Sequence, residues 1–377
     1  MTAAALGIVC VAIWLYVLLG RGRFWHVSIR RDQPAPLRRV VAIVPARNEA
    51  DVIARAVSSL LKQDGVDLRI VVVDDNSTDA TADVVRQLAI GSEDRLTVLP
   101  GHPFPAGWSG KLWAVQQGID YARQFAPDYL FLTDADIEHL PANVASLISI
   151  AESGPFDLAS FMVKLECQNL AERLLIPPFV YFFLQLYPPR WVSDPSAKTA
   201  GAAGGCILIR PDALQRAGAM QSIRNEIIDD CALARAVKRS GGRVWLGLTD
   251  SARSVRPYQS LAGIERMIAR SAFNQLGHSA LLLLVAILGL LLTYVVPVAL
   301  LFSPMPWLGL AACLLMFISY YPMVHFYLLN PLWTLTLPLA AIFYMAATLD
   351  SAIRYWTGRG GHWKGRAQDV KSSESST

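Results

Sequence analysis

The sequence predicts an α/β protein, a mostly parallel sheet with helices on both faces, flanked by membrane-crossing helices at its N- and C-terminal ends. Three observations carry this. Between residues 40 and 135, short apolar β-branched runs alternate with stretches of helical periodicity, the pattern of a parallel sheet covered on both sides. Long apolar runs lie at 3–20 and 280–352. Charged residues make up only 17% of the chain, against about 25% in an ordinary soluble domain, so part of it is expected in lipid.

In chain order, the first apolar run carries no charge and is followed at once by Arg21, Gly22 and Arg23. A secretory signal peptide has its positive charges before the apolar run. The positive-inside rule places the N-terminus outside and residue 21 onward in the cytoplasm. Next come a strand at 40–44, a helix at 49–63, a strand at 68–73 and a helix at 79–89. A strand at 96–99, a helix at 111–125 and a strand at 129–133 come after them. The second apolar block divides into 280–302, 307–329 and 332–349, each near the roughly 20 residues that span hydrocarbon. Pro-containing breaks at 303–306 and 330–331 separate them, and Trp307, Tyr320, Tyr321, Tyr327, Trp333, Tyr355 and Trp356 suit interfaces. Three crossings put the C-terminus outside, whereas Arg354, Arg359, Lys364, Arg366 and Lys371 argue for inside. The middle stretch, with Pro322 and His325, is therefore expected to be re-entrant or interfacial.

The net charge of +4 suits a protein resting on anionic headgroups. Its basic residues are not interleaved with aromatics as a nucleic-acid groove requires, so no nucleic acid partner is expected. Cys10, Cys167, Cys206, Cys231 and Cys313 are far apart, with no C-x-x-C pair. They read as small buried hydrophobes in a reducing compartment.

Ligands of parallel sheets bind at the carboxyl ends of strands, and three such ends here are polar and acidic. The first reads Pro45-Ala46-Arg47-Asn48-Glu49, the second Asp74-Asp75-Asn76-Ser77-Thr78-Asp79, the third Asp134-Ala135-Asp136. Asn, Asp, Ser and Thr are ordinary helix N-caps, and Asp79, or Ser77 with Thr78, is expected to cap the next helix. A cap needs one such residue, whereas Asp74 and Asp75 are two adjacent carboxylates that suit hydrogen bonds to a base N–H and ribose hydroxyls. Asp134 and Asp136 can both face one divalent cation, Mg²⁺ or Mn²⁺, bridging a diphosphate, where it takes up charge on a departing nucleoside diphosphate. D-x-D is common by itself; its position after an apolar strand, third in the series, gives it weight. Asn225-Glu226-Ile227-Ile228-Asp229-Asp230 opens a helix, either as acidic residues favoured by the helix dipole or as the seat of a general base. Arg266 and Arg270, four apart, share a helix face and suit either a diphosphate or lipid headgroups.

Together and in this order, these elements resemble the family 2 inverting glycosyltransferases with a GT-A fold, over about residues 40–275. The resemblance implies that Pro45, Arg47, Glu49, Asp74 and Asp75 bind the nucleoside, and that Asp134 and Asp136 hold diphosphate and metal. It makes Asp230 the base, with Asp229 the second choice. Arg266 and Arg270 stand where the family has a Q-x-x-R-W helix contacting phosphates; the missing Gln and Trp weaken a reading as a processive polymer synthase. The run Pro105-Ala106-Gly107-Trp108-Ser109-Gly110-Lys111-Leu112-Trp113-Ala114 and the late Trp363-Lys364-Gly365-Arg366 look like the subgroup associated with hopanoid biosynthesis. Carotenoid and ceramide glycosyltransferases are near relatives of that subgroup. Gly110 lets backbone approach a phosphate and Lys111 supplies a point charge to the donor. The implied organisation is an N-terminal anchor at 1–23, a GT-A domain at 38–275, C-terminal transmembrane helices at 280–352 and a basic, then disordered tail at 353–377. Within the GT-A domain, 38–140 is the nucleotide-binding half and 141–275 the acceptor half.

Residues 173–191, RLLIPPFVYFFLQLYPPRW, carry two Pro-Pro pairs expected to prevent a spanning helix. They read as a buried core helix or an interfacial one beside the acceptor lipid. The Gly-rich run 201–205 allows backbone to approach substrate, or forms a turn. The expected protein is thus a multi-pass enzyme of the inner (plasma) membrane with a cytoplasmic catalytic domain. It moves a sugar from a nucleotide-sugar donor to a hopanoid- or polyprenyl-type lipid, with inversion and a divalent metal. A nucleotidyltransferase acting on a lipid phosphate shares the sheet, nucleotide and metal, but ordinarily has a Gly-rich loop followed by basic residues after the first strand, which 45–49 is not. A non-catalytic membrane scaffold typically loses an acidic motif, and none is missing.

Overall fold

The computed structural model describes residues 3–29, 35–103, 105–358, 362–363 and 366–367. It contains two compact units. A sheet unit takes residues 28–165, 192–256 and the chain from 361, and an apolar unit takes 1–27, 166–191 and 257–360.

The sheet unit has eight strands: β1 (Arg39–Ala46), β2 (Asp67–Asp74), β3 (Leu96–Pro100), β4 (Tyr129–Leu132), β5 (Ile137–His139), β6 (Leu158–Lys164), β7 (Ile207–Ile209) and β8 (Val244–Ser254). They lie in the order β3-β2-β1-β4-β7-β6-β8-β5. β1, β2, β3 and β4 are parallel, and β6 is parallel to β8. β7 runs antiparallel to both β4 and β6, and β5 antiparallel to β8. The sheet is therefore mixed but mostly parallel, as expected. β1 is buried from Val40 to Ala46, which explains why its sequence is continuously apolar rather than alternating. The helix Gly110–Ala122 starts from a Ser109 cap whose hydroxyl accepts from Leu112 N–H. It packs so closely on β1 that a Cβ at Gly118 would lie 2.5 Å from Ile43 Cγ2. Because β1, β2 and β4 are parallel, the ends of all three acidic segments fall on one edge of the sheet.

In the apolar unit, four helices among the described residues are long and apolar enough to cross a membrane: Ala3–Gly20, Ala280–Leu300, Pro306–Phe326 and Pro331–Trp356. Leu281, Leu284 and Leu288 are exposed on the second of them, as lipid-facing positions would be. Pro297 cannot donate to the carbonyl of Thr293, one turn back. Trp14 Nε1 donates to that oxygen instead, at 2.8 Å, so the freed acceptor is satisfied inside the unit.

Three sequence expectations change in detail. The helix Pro306–Phe326 runs unbroken through Pro322, so the middle stretch is as long as its neighbours. Residues 173–191 do not break at Pro177-Pro178 either: the helix Leu170–Leu186 continues through them and ends before the second proline pair. It is held within the apolar unit, where Tyr344 Oη donates to Leu175 O at 2.9 Å and Tyr181 Oη lies 2.7 Å from Ser319 Oγ. For that reason 166–191, together with 257–275, groups with the apolar helices rather than with the rest of the expected 38–275 domain. In the tail, His362–Trp363 pairs with Arg366–Ala367; Arg359, Lys364, Gly365, Lys371 and the remainder of the expected disordered end lie outside the described residues.

Candidate active site

Two neighbouring loops at the carboxyl edge are laced together by side chains. Asn48 and Asn76 both take left-handed backbone, at φ 51° and 53°, which Asn tolerates better than most residues. Asn48 N–H donates to Ser77 Oγ at 3.0 Å, and Asn48 Oδ1 accepts from Thr78 N–H at 2.8 Å. Asp79 accepts from Thr81 N–H with one oxygen and from Ala50 N–H with the other. Asp79, expected as the cap, stands one residue before the cap position, which is Ala80, and ties the start of that helix to the opposite loop. Arg47 donates to the carbonyls of Asp75 and Asn76, and its guanidinium lies 3.8 Å from the buried Asp75 carboxylate. Beside it, Asp74 Oδ1 and Arg47 Nε are buried without a hydrogen-bond partner.

A cleft between the edge and two helices is lined by Pro45, Lys111, Asp134, Gly204, Asp229 and Asp230. Lys111 Nζ sits 3.0 Å from Asp134 Oδ1 and 3.1 Å from Asp229 Oδ2. Burial lowers the pKa of this ammonium, but the carboxylates of Asp134, Asp229 and Asp230 outweigh that and hold it above its ordinary range. Asp230 stands at the start of the helix Asp229–Arg239. Its carboxylate accepts from Gly204 N–H at 2.8 Å and from Cys231 N–H at 2.7 Å. Burial and the adjacent Asp229 nevertheless push it up to about 6, against the opposing pull of Cys231 N–H, Lys111 and Gly204 N–H.

Sequence reasoning missed one residue here. Arg256, just past β8, ion-pairs with Glu49, donates from Nε to Asp136 Oδ2 at 3.1 Å and lies 4.0 Å from Asp51. It ties the first strand end to the third. The signal available was an Arg-Pro step at the end of a long strand. By contrast, Arg266 and Arg270 belong to the apolar unit, on the helix Leu261–Ala269 and at its end, and are not among the residues gathered here.

The donor set suits a hard divalent cation. Asp134 and Asp136 offer carboxylate oxygens at a strand end, and Mg²⁺ or Mn²⁺ is commonly held by one or two carboxylates with substrate phosphates completing the shell. The carboxylates of Glu49, Asp51, Asp134, Asp136, Asp229 and Asp230 gather here around Lys111 and Arg256. Such an excess of negative charge would repel a diphosphate unless a further cation came with it. Among the described residues no group of three or more His, Cys, Asp or Glu side chains is arranged to hold a metal unaided.

Residues 41–218 match the model of glycosyl transferase family 2. The matched span includes the three acidic strand ends and Lys111, and ends before Asp229. The chain is 29% identical over 125 residues to the uncharacterized glycosyltransferase YaiP of Escherichia coli, covering 33% of this chain and 29% of that one. It is 30% identical over 116 residues to a GalNAc(5)-diNAcBac-PP-undecaprenol beta-1,3-glucosyltransferase of Campylobacter jejuni, covering 31% and 35%. The matches span about a third of the length of these relatives. In structure, the chain resembles the mannosyltransferase PcManGT from Pyrobaculum calidifontis, solved in complex with GDP-Man and Mn²⁺. The TM-score is 0.58 at 18% identity, over 95% of this chain and 100% of that one. The architecture is the GT-A fold.

Proposed function

We propose that this chain is a membrane-bound, metal-dependent inverting glycosyltransferase that moves a sugar from a nucleotide-sugar donor to a lipid acceptor of hopanoid or polyprenyl type. The observation that carries the reading is the cleft itself, in which a largely buried carboxylate raised to about 6 faces an ammonium shared by two further carboxylates. A base poised near neutrality beside a fixed positive charge is what acceptor activation and leaving-group stabilisation require.

In the proposed reaction Asp230 takes the proton of the acceptor hydroxyl as its oxygen attacks the anomeric carbon. A phosphate acceptor would attack already ionised. The bond to the diphosphate breaks on the opposite face, so a single displacement inverts the centre. Lys111 moves its charge from Asp134 and Asp229 to the departing phosphate, at the N-terminus of the helix it opens. Asp74, whose buried Oδ1 lacks a donor, takes a base N–H. Arg47, Glu49 and Asp75 shape the nucleoside cradle, with Pro45 beneath it. Asp134 and Asp136 would hold the metal, which neutralises the diphosphate when bound. Arg266 and Arg270, with the four apolar helices, support the lipid side of the reading, as does the undecaprenol-linked substrate named for the Campylobacter relative. Arg21 and Arg23, directly after the first apolar run, support a cytoplasmic catalytic domain.

The test is a panel of nucleotide sugars offered to the purified protein in lipid, with Mn²⁺ or Mg²⁺, with and without membrane lipid extract. Release of one nucleoside diphosphate that needs the extract, is lost on chelation and is lost in Asp136→Ala is expected. No release and no donor binding by calorimetry would overturn the reading.

A further inference from the structure

The sheet unit contains a buried polar chain that the proposed chemistry does not use. Ser251 Oγ donates to Asn143 Oδ1 at 2.8 Å, and Asn143 Nδ2 lies 3.0 Å from His139 Nδ1. His139 Nε2 lies 2.9 Å from Thr133 Oγ1, which donates to Gly205 O at 2.9 Å. The partners fix the proton positions: an amide N–H₂ faces Nδ1, so the imidazole proton sits on Nε2 and points at Thr133. With its lone pair so engaged, the Thr133 hydroxyl has its single proton free for Gly205 O. His139 and Thr133 are each 2% exposed, and Asn143 is fully buried.

A second buried hydroxyl grips the same segment from the other side. Ser160, fully buried on β6, accepts from Ala203 N–H at 2.9 Å and donates to Ala203 O at 3.2 Å. Gly204 lies between these two attachments, and its N–H is the one that holds Asp230 Oδ2. We infer that Thr133 and Ser160 are positioning residues for Asp230, two pins on either side of Gly204, with His139 setting the direction in which Thr133 donates. Thr133 also precedes Asp134 directly, so one hydroxyl sets the registry of the donor carboxylate against the base. The inference rests on the reading of Asp230 as the base.

Hydrogen exchange followed by mass spectrometry on the full chain in lipid, over peptides covering 200–206, tests the pins without any substrate. Thr133→Val keeps the shape and removes the hydroxyl; Thr133→Ser keeps the hydroxyl; Ser160→Ala removes the other pin and serves if Thr133→Val does not fold. Exchange at 200–206 is expected to rise about tenfold in Thr133→Val and in Ser160→Ala, the factor one hydrogen bond makes in a local opening, and to stay at the wild-type level in Thr133→Ser. Exchange within about twofold of wild type in both hydroxyl-deleted variants overturns the inference. In parallel, kcat for nucleoside diphosphate release should fall roughly a hundredfold in Thr133→Val, with donor KM nearly unchanged and recovery in Thr133→Ser. Loosened exchange with unchanged kcat would make the pins structural only. If the wild-type protein turns over no donor, the glycosyltransferase reading fails, while the exchange data still decide whether the pins hold Gly204.

Discussion

Replacing Asp230 by asparagine separates what this carboxylate does for turnover from what it costs the fold. Its pKa is raised from 3.8 to about 6 by burial and by Asp229. At about 1.4 kcal/mol per unit, keeping it ionised costs the folded protein about 3 kcal/mol at neutral pH. The sign comes from proton binding: between pH 3.8 and about 6 the folded protein retains a proton that the unfolded chain has released, so stability falls as pH rises through that window. The neutral amide of Asp230→Asn would carry no such penalty. It can accept only one of the two N–H groups now bound, from Gly204 and Cys231, and turns an N–H₂ toward the other at a cost of about 1–2 kcal/mol. Asp230→Asn should therefore be more stable than wild type by about 1–2 kcal/mol above pH 7, with the difference closing as pH falls and reversing below about pH 5. Thermal unfolding in detergent across that pH range, at about 2–4 °C per kcal/mol, reads it directly. The same variant should lose at least about a hundredfold in kcat while still binding donor. A variant less stable than wild type at pH 8, with a gap that does not depend on pH, would refute the electrostatic account.

Other expectations rest on the same contacts. Lys111→Met should lower kcat by about 10²–10³ and move the acidic limb of the pH–rate profile upward, since this ammonium is one of the groups that hold Asp230 down; an unmoved limb would detach Lys111 from the base. Arg256→Gln leaves Glu49 and Asp136 without their shared guanidinium, and should cost about 1–3 kcal/mol in denaturant titrations and weaken donor binding by calorimetry. Unchanged stability would mean the bridge is incidental. In the apolar unit, Trp14→Phe keeps the ring but strips the donor from Thr293 O; a loss of about 1 kcal/mol is expected in detergent unfolding, and none would show that acceptor to be satisfied otherwise.

How far the sequence reached depended on the range of the interactions involved. The three acidic strand ends were legible because a buried parallel strand writes itself as an apolar run, and the residues just after that run sit at the ligand edge. The pairing of Lys111 with Asp134 and Asp229 needed three segments brought together, and no local pattern encodes it. Arg256 was invisible for the same reason: it comes after β8 in sequence but acts on Glu49 and Asp136, more than a hundred residues away. β7, at three residues, is too short for periodicity to register, yet it is the antiparallel strand that joins the two parallel halves. The Pro177-Pro178 pair does not end the helix Leu170–Leu186, yet at 17 residues that helix is not among the four described helices long and apolar enough to cross a membrane, in keeping with the expectation for 173–191.

The lacing of the first two strand-end loops constrains any re-engineering of the proposed donor site. Asn48 and Ser77, Ala50 and Asp79, Glu49 and Thr81 are each joined across the loops, so neither loop has a conformation of its own to bring into a new host. A graft of residues 45–50 alone would arrive with its backbone N–H groups facing the wrong partners, and so would a graft of 74–81. On the proposed reading, base preference passes on only as a pair of segments, and chimaeras that exchange both together are the ones that should retain a working cradle.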